Sequence, residues 1–136
     1  QPGIMEEESL PMGHNETILL VDDEKSVREL TREILEQFNY RVIEARDGQE
    51  ALDIYNREHA DVSLVFLDVI MPRLDGKKCL SKLLEIDPTV KVLIFSGVAE
   101  DIFIQDVVNL GAKGALIKPL DMKRMLQKIR EVLDAN

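Results

Sequence analysis

Residues 17–24 read TILLVDDE, an apolar run that ends on three consecutive acids. From Ile18 to Val21 no side chain is suited to water, so a strand formed there must be covered on both faces. Residues 64–67, LVFL, repeat the pattern and lead into a single acid, Asp68. Working outward from these two runs, strand-like segments extend over Thr17 to Val21, Tyr40 to Glu44, Ser63 to Leu67, Val90 to Phe95 and Gly114 to Ile117. Helical periodicity fills the intervals. Val27, Leu30, Ile34, Leu35 and Phe38 share one face after the first strand, and Met122, Met125, Leu126, Ile129 and Leu133 share one after the last. Weaker helical patterns follow Gly48, Gly76 and Glu100. Strands alternating with helices over short connections predict an α/β fold with a five-stranded parallel sheet covered on both faces. Open sheets of this kind bind ligands beyond the carboxyl ends of their strands, which is where chemistry is to be sought.

The remaining composition narrows the functional classes. A chain of 136 residues suits one domain, and 45% hydrophobic with 32% charged residues is a globular balance. Residues 1–15, QPGIMEEESLPMGHN, hold two Pro, two Gly and three consecutive Glu without periodicity, and read as a flexible tail or linker ahead of a folded domain over residues 16–136. No apolar run reaches membrane-spanning length and no signal-peptide layout opens the chain, so no membrane insertion and a cytoplasmic location are expected. A net charge of −9 repels a phosphate backbone, which argues against direct nucleic-acid binding. Cys79 is the single cysteine and reads as a thiol packed on the core. His14 and His59 have no second ligand at metal spacing, and both read as solvated.

Four strand ends carry polar groups. The first runs into Asp22, Asp23 and Glu24, the third into Asp68, the fourth into Ser96 and Gly97, and the fifth into Lys118 and Pro119. Carboxylates from neighbouring strands facing one crevice repel each other unless a cation lies between them, and oxygen ligands favour a hard ion such as Mg²⁺. A plainer reading makes Asp22, Asp23 and Glu24 helix caps. That reading does not account for an acid and an ammonium at two other strand ends. The chemistry suited to the whole set is phosphoryl transfer to a carboxylate: Asp68 attacks, a cation neutralises charge, and the Ser96 hydroxyl and Lys118 ammonium contact the remaining phosphoryl oxygens. Lys118 could equally form a salt bridge to the nearby acids when no phosphate is present.

ILLVDDE, LDVIMPRLDG, VLIFSG and GAKGALIKP resemble, in order, the four motif blocks of the receiver (response regulator) domain family of two-component signalling. Forty-five positions separate Asp23 from Asp68 and fifty separate Asp68 from Lys118, close to the family's habit. The resemblance covers nearly all of Thr17 to Leu133. It implies a flavodoxin-like three-layer α/β/α fold with strand order 2-1-3-4-5 and Asp68 as phosphoacceptor. It further implies Asp23 and Asp68 as direct Mg²⁺ ligands, Asp22 acting through water, the Ile70 backbone carbonyl as a further ligand, and Ser96 and Lys118 as switch hydroxyl and lysine. A histidine kinase or phosphotransfer domain would be the donor, and a conformational change would regulate a partner. Catalysis would extend only to the chain's own phosphorylation and slow autodephosphorylation. The blend of ETILLVDDE, EARDGQEAL and FSG is similar to receivers attached to hybrid sensor kinases.

One position departs from the family. The aromatic usual three residues before the lysine is Ala115 here, so an aromatic rotamer switch is not expected. In the fourth helix, Phe103, Val107 and Leu110 fit a core stripe, while Ile104 and Val108 fit an adjoining one. The second stripe is either buried as well or, beside Ala115, part of a partner or homodimer surface on helix four, strand five and helix five. Three other functions compete. An FMN carrier of the same fold would need a phosphate-cradling loop where DDEKS stands, and a haloacid-type phosphatase would need an acid where Ile70 stands. A pseudo-receiver acting only as a binding module would be expected to lack one of the acidic, hydroxyl or lysine groups, and none is missing.

Overall fold

The computed structural model describes residues 10–68, 76–96, 101–117 and 121–135, with the side chains of residues 101–104 excepted. Five strands and five helices alternate: β1 (Thr17–Val21), α1 (Lys25–Gln37), β2 (Arg41–Ala45), α2 (Gly48–Glu58), β3 (Leu64–Asp68), α3 (Gly76–Ile86), β4 (Val92–Ser96), α4 (Asp101–Leu110), β5 (Gly114–Ile117) and α5 (Met122–Asp134). A short 3₁₀ turn, His59–Asp61, follows α2. All strands are parallel, in the order β2-β1-β3-β4-β5.

Alternation along each strand sorts the core into two layers. Leu19, Val21, Val65, Leu67, Val92 and Ile94 face α2, α3 and α4, where Tyr55, Leu80, Leu83 and Val107 meet them. Ile18, Leu20, Leu64, Phe66, Leu93 and Phe95 face α1 and α5, where Leu35, Leu126 and Ile129 complete the packing. Phe66 and Phe95 meet across adjacent strands as a tilted ring pair with centroids 4.3 Å apart. Cys79 is buried, as expected, with its thiol directed at the Gly48 carbonyl. His14 and His59 are both exposed, as expected, with the His59 ring beside Tyr55 at 5.9 Å between centroids.

Several expectations shift. β2, β3 and β4 begin and end one or two residues later than the apolar runs suggested, and Asp68 and Ser96 are the last residues of their strands. Leu30 is 59% exposed. The buried line of α1 passes through Thr31 and Leu35 instead, because Thr31 satisfies its hydroxyl on the Val27 carbonyl and so tolerates the core. On α4, Val107 is buried as expected but Leu110 is 43% exposed, at the end of the helix. On α5, Met122 is exposed at the first turn and Val132 is buried in the last. Within the stretch read as tail, Gly13 and Asn15 donate backbone hydrogen bonds to the carbonyls of Phe38 and Asn39. The Asn39 amide returns one to the Gly13 carbonyl.

Candidate functional site

β1 and β3 are neighbours, and their carboxyl ends bring Asp22, Asp23 and Asp68 together: each offers a carboxylate oxygen within 4.8 Å of the others. Asp22 and Asp68 are buried, while Asp23 is exposed at the mouth. Asp68 pairs in register with Phe95, so Ser96, also buried, stands one residue further along the adjacent strand. Ser96 in turn pairs with Ile117 at the end of β5. Lys118, Pro119, Gly97 and Ile70 lie outside the described residues.

The acidic run after β1 does not cap α1. The helix N-cap is Glu24, whose side chain makes no capping bond, and the first turn holds no acid. Asp22 Oδ1 instead accepts the Glu24 N–H at 2.9 Å in a local turn, while the Asp22 N–H donates to the Ala45 carbonyl at 3.1 Å. The loop is therefore shaped around a buried carboxylate rather than around the helix end. Three residues that sequence reasoning missed, Arg28, Glu44 and Arg32, hold it from behind. Arg28 donates Nη1 to the Asp22 carbonyl and Nε to Glu44 Oε1, both at 2.8 Å. Arg32 Nη1 binds the other Glu44 oxygen at 2.6 Å. Burial pushes the Glu44 carboxyl up, but the hydrogen bonds from Arg32 and Arg28 overcome it and leave the pKa below its ordinary value. The available signal was Glu44 itself, a charge within the strand RVIEA.

Three carboxylates at the ends of two neighbouring strands offer only hard oxygen donors and a concentrated negative charge. That donor set fits a small divalent cation such as Mg²⁺ and suits no soft metal. Asp68 and Ser96, both buried, end the adjacent strands β3 and β4 at this same end of the sheet. Among the described residues no helix is long and apolar enough to cross a membrane.

Comparison with known proteins agrees with this architecture. Residues 18–130 match the model of the response regulator receiver domain. The chemotaxis protein CheY of Treponema pallidum is 36% identical over 124 residues, covering 90% of this chain and 86% of that protein. Sensor kinase CckA of Brucella abortus is 34% identical over 128 residues, covering 94% of this chain but 14% of the kinase. Among solved structures, the CheX-CheY-BeF3-Mg+2 complex of Borrelia burgdorferi superposes with a TM-score of 0.81 at 31% identity, covering 95% of this chain and 94% of the matched one. With the sheet order, the acidic crevice and the matched length in agreement, the chain belongs to the response regulator receiver domain family.

Proposed function

We propose that this chain is a phosphoacceptor that takes a phosphoryl group from a histidine kinase or phosphotransfer domain onto Asp68. The observation that carries this reading is the convergence of Asp22, Asp23 and Asp68 at adjacent strand ends, with the acceptor carboxylate 3% exposed. In the transfer, an Asp68 oxygen attacks phosphorus from one side while the bond to the donor's imidazole nitrogen breaks on the other. Asp23 and Asp68 would hold Mg²⁺ directly, Asp22 would act through water, and the Ile70 carbonyl would be a further ligand. Bound Mg²⁺ would neutralise charge on the phosphoryl oxygens. The Ser96 hydroxyl and Lys118 ammonium contact those oxygens and report their arrival to the rest of the domain. Catalysis is confined to the chain's own phosphorylation and slow autodephosphorylation, in the cytoplasm.

Output goes to a partner, or to a second copy, through the face of α4, β5 and α5. Support for this comes from Val108, Ile117 and Met122, one on each of these elements and each about two-fifths exposed. The acceptor is tested by intact-mass spectrometry after incubation with acetyl phosphate and Mg²⁺. The wild-type chain gains one phosphoryl mass and Asp68→Asn gains none. Phosphate on the Asn variant would place the acceptor elsewhere, and a wild-type chain that stays unmodified with both acetyl phosphate and beryllofluoride would favour a pure binding module.

A further inference from the structure

We infer that Arg28 is a positioning residue for the acidic site, acting through the backbone of the β1–α1 loop. The inference rests on the reading of Asp22, Asp23 and Asp68 as a Mg²⁺ site. Its starting point is the peptide plane between Asp22 and Asp23. The carbonyl of that plane belongs to Asp22, and its nitrogen belongs to Asp23, the exposed acid expected to bind the ion directly. Arg28 holds this carbonyl at 2.8 Å. A fixed carbonyl fixes the plane, and hence the direction in which Asp23 leaves it.

The guanidinium is itself anchored. Its Nε is bound to Glu44 Oε1 at 2.8 Å, and the two side chains are only 14% and 22% exposed. Glu44 cannot swing away, because Arg32 holds its second oxygen at 2.6 Å and β2 holds its backbone beside Leu20 of β1. The linkage thus runs from a sheet strand through Glu44 and Arg28 to the loop that carries two of the three acids. A planar fork is needed for it. One guanidinium donates in two directions at fixed angles, which an ammonium cannot reproduce. The Arg28 side chain donates to the Asp22 backbone carbonyl and to Glu44, so its contribution to the acids is one of orientation.

Charge and orientation predict opposite outcomes, and that decides the test. A cation behind an acidic site opposes Mg²⁺ binding by Coulomb's law, so an electrostatic role alone means that removing Arg28 tightens binding. A positioning role means that removal weakens it. In the full chain at fixed ionic strength, calorimetry with MgCl₂ is expected to show roughly tenfold weaker binding for Arg28→Lys, which keeps the charge, and weaker binding again for Arg28→Met. In acetyl phosphate labelling, the Mg²⁺ concentration for half-maximal rate should rise, while the rate at saturating Mg²⁺ recovers most of its wild-type value. Thermal melts identify folded variants. Unchanged affinity in folded Arg28→Lys, or tighter binding in Arg28→Met, overturns the proposal. If Arg28→Lys does not fold, Arg28→Met decides, and unfolding of both makes Arg28 a structural residue and overturns it too. A wild-type chain that binds no Mg²⁺ sinks the metal reading and this one with it, and is told apart because no variant is then needed.

Discussion

Asp22 and Asp23 are adjacent in sequence and opposite in environment. Asp22 is buried and tied by its N–H, its carbonyl and its Oδ1, whereas Asp23 faces solvent at the same strand end. A restrained buried carboxylate supplies a fixed field, and an exposed one can exchange water for an ion without a large desolvation cost. Asp23→Ala is therefore expected to abolish most Mg²⁺ binding in calorimetry while leaving the melting temperature within a few degrees. An unaltered isotherm would move the ion to other ligands. The site acids were legible because polar residues ending an apolar run have few structural uses. Arg28 and Glu44 were not, because a guanidinium spanning a helix, a strand and a loop carbonyl obeys no spacing rule.

Among the elements, the end of α4 shows how a turn can be set by one residue. Gly111 has φ +124°, its N–H closes on the Val108 carbonyl, and Ala112 closes on that of Val107. A Cβ at Gly111 would also stand 2.7 Å from Leu84 Cδ1. Gly111→Ala should cost about 2 kcal/mol in urea unfolding, from backbone strain with the Leu84 contact added. A loss under a few tenths would mean that the loop relaxes freely. α1 ends differently, on Asn39 at φ 73° with the N–H of Tyr40 returning to the Leu35 carbonyl, a stop that asparagine tolerates next best to glycine. Strand identity was readable from apolar runs, but strand ends were not. Asp68 and Ser96 continue the ladder although their side chains are polar, since hydrogen bonding by the backbone does not depend on side-chain polarity. Leu30 and Leu110 were misplaced for a related reason: periodicity locates a stripe, and only the packed partner decides where its centre falls.

At the scale of the whole molecule, the sheet's two faces are closed separately, and the entry and exit of the folded region are fastened to one another. Arg130 of α5 binds Glu16, just before β1, at 2.6 Å and Asp134, in the last turn of α5, at 2.7 Å. Burial opposes ionisation of Glu16, yet the Arg130 and backbone hydrogen bonds outweigh it and hold its pKa at about 2 instead of 4.5. A depressed acid adds stability above its unfolded pKa and loses it as pH falls through the folded one, so this contribution is full above about pH 5 and disappears between 4.5 and 2. Glu16→Gln should cost about 1 kcal/mol at pH 7, and the gap from wild type should close in urea melts at pH 4, 3 and 2. A gap constant across that range would assign the effect to packing. Lys91 reinforces the same corner by donating to the Leu133 and Ala135 carbonyls at the end of α5. One guanidinium thus joins the residue before β1 to the last turn of α5, at the amino end of β1 and away from the strand ends that carry the acids. A pull on either flank of the fold therefore strains the same cation first, so that fraying of the first strand and of the last helix is one event rather than two.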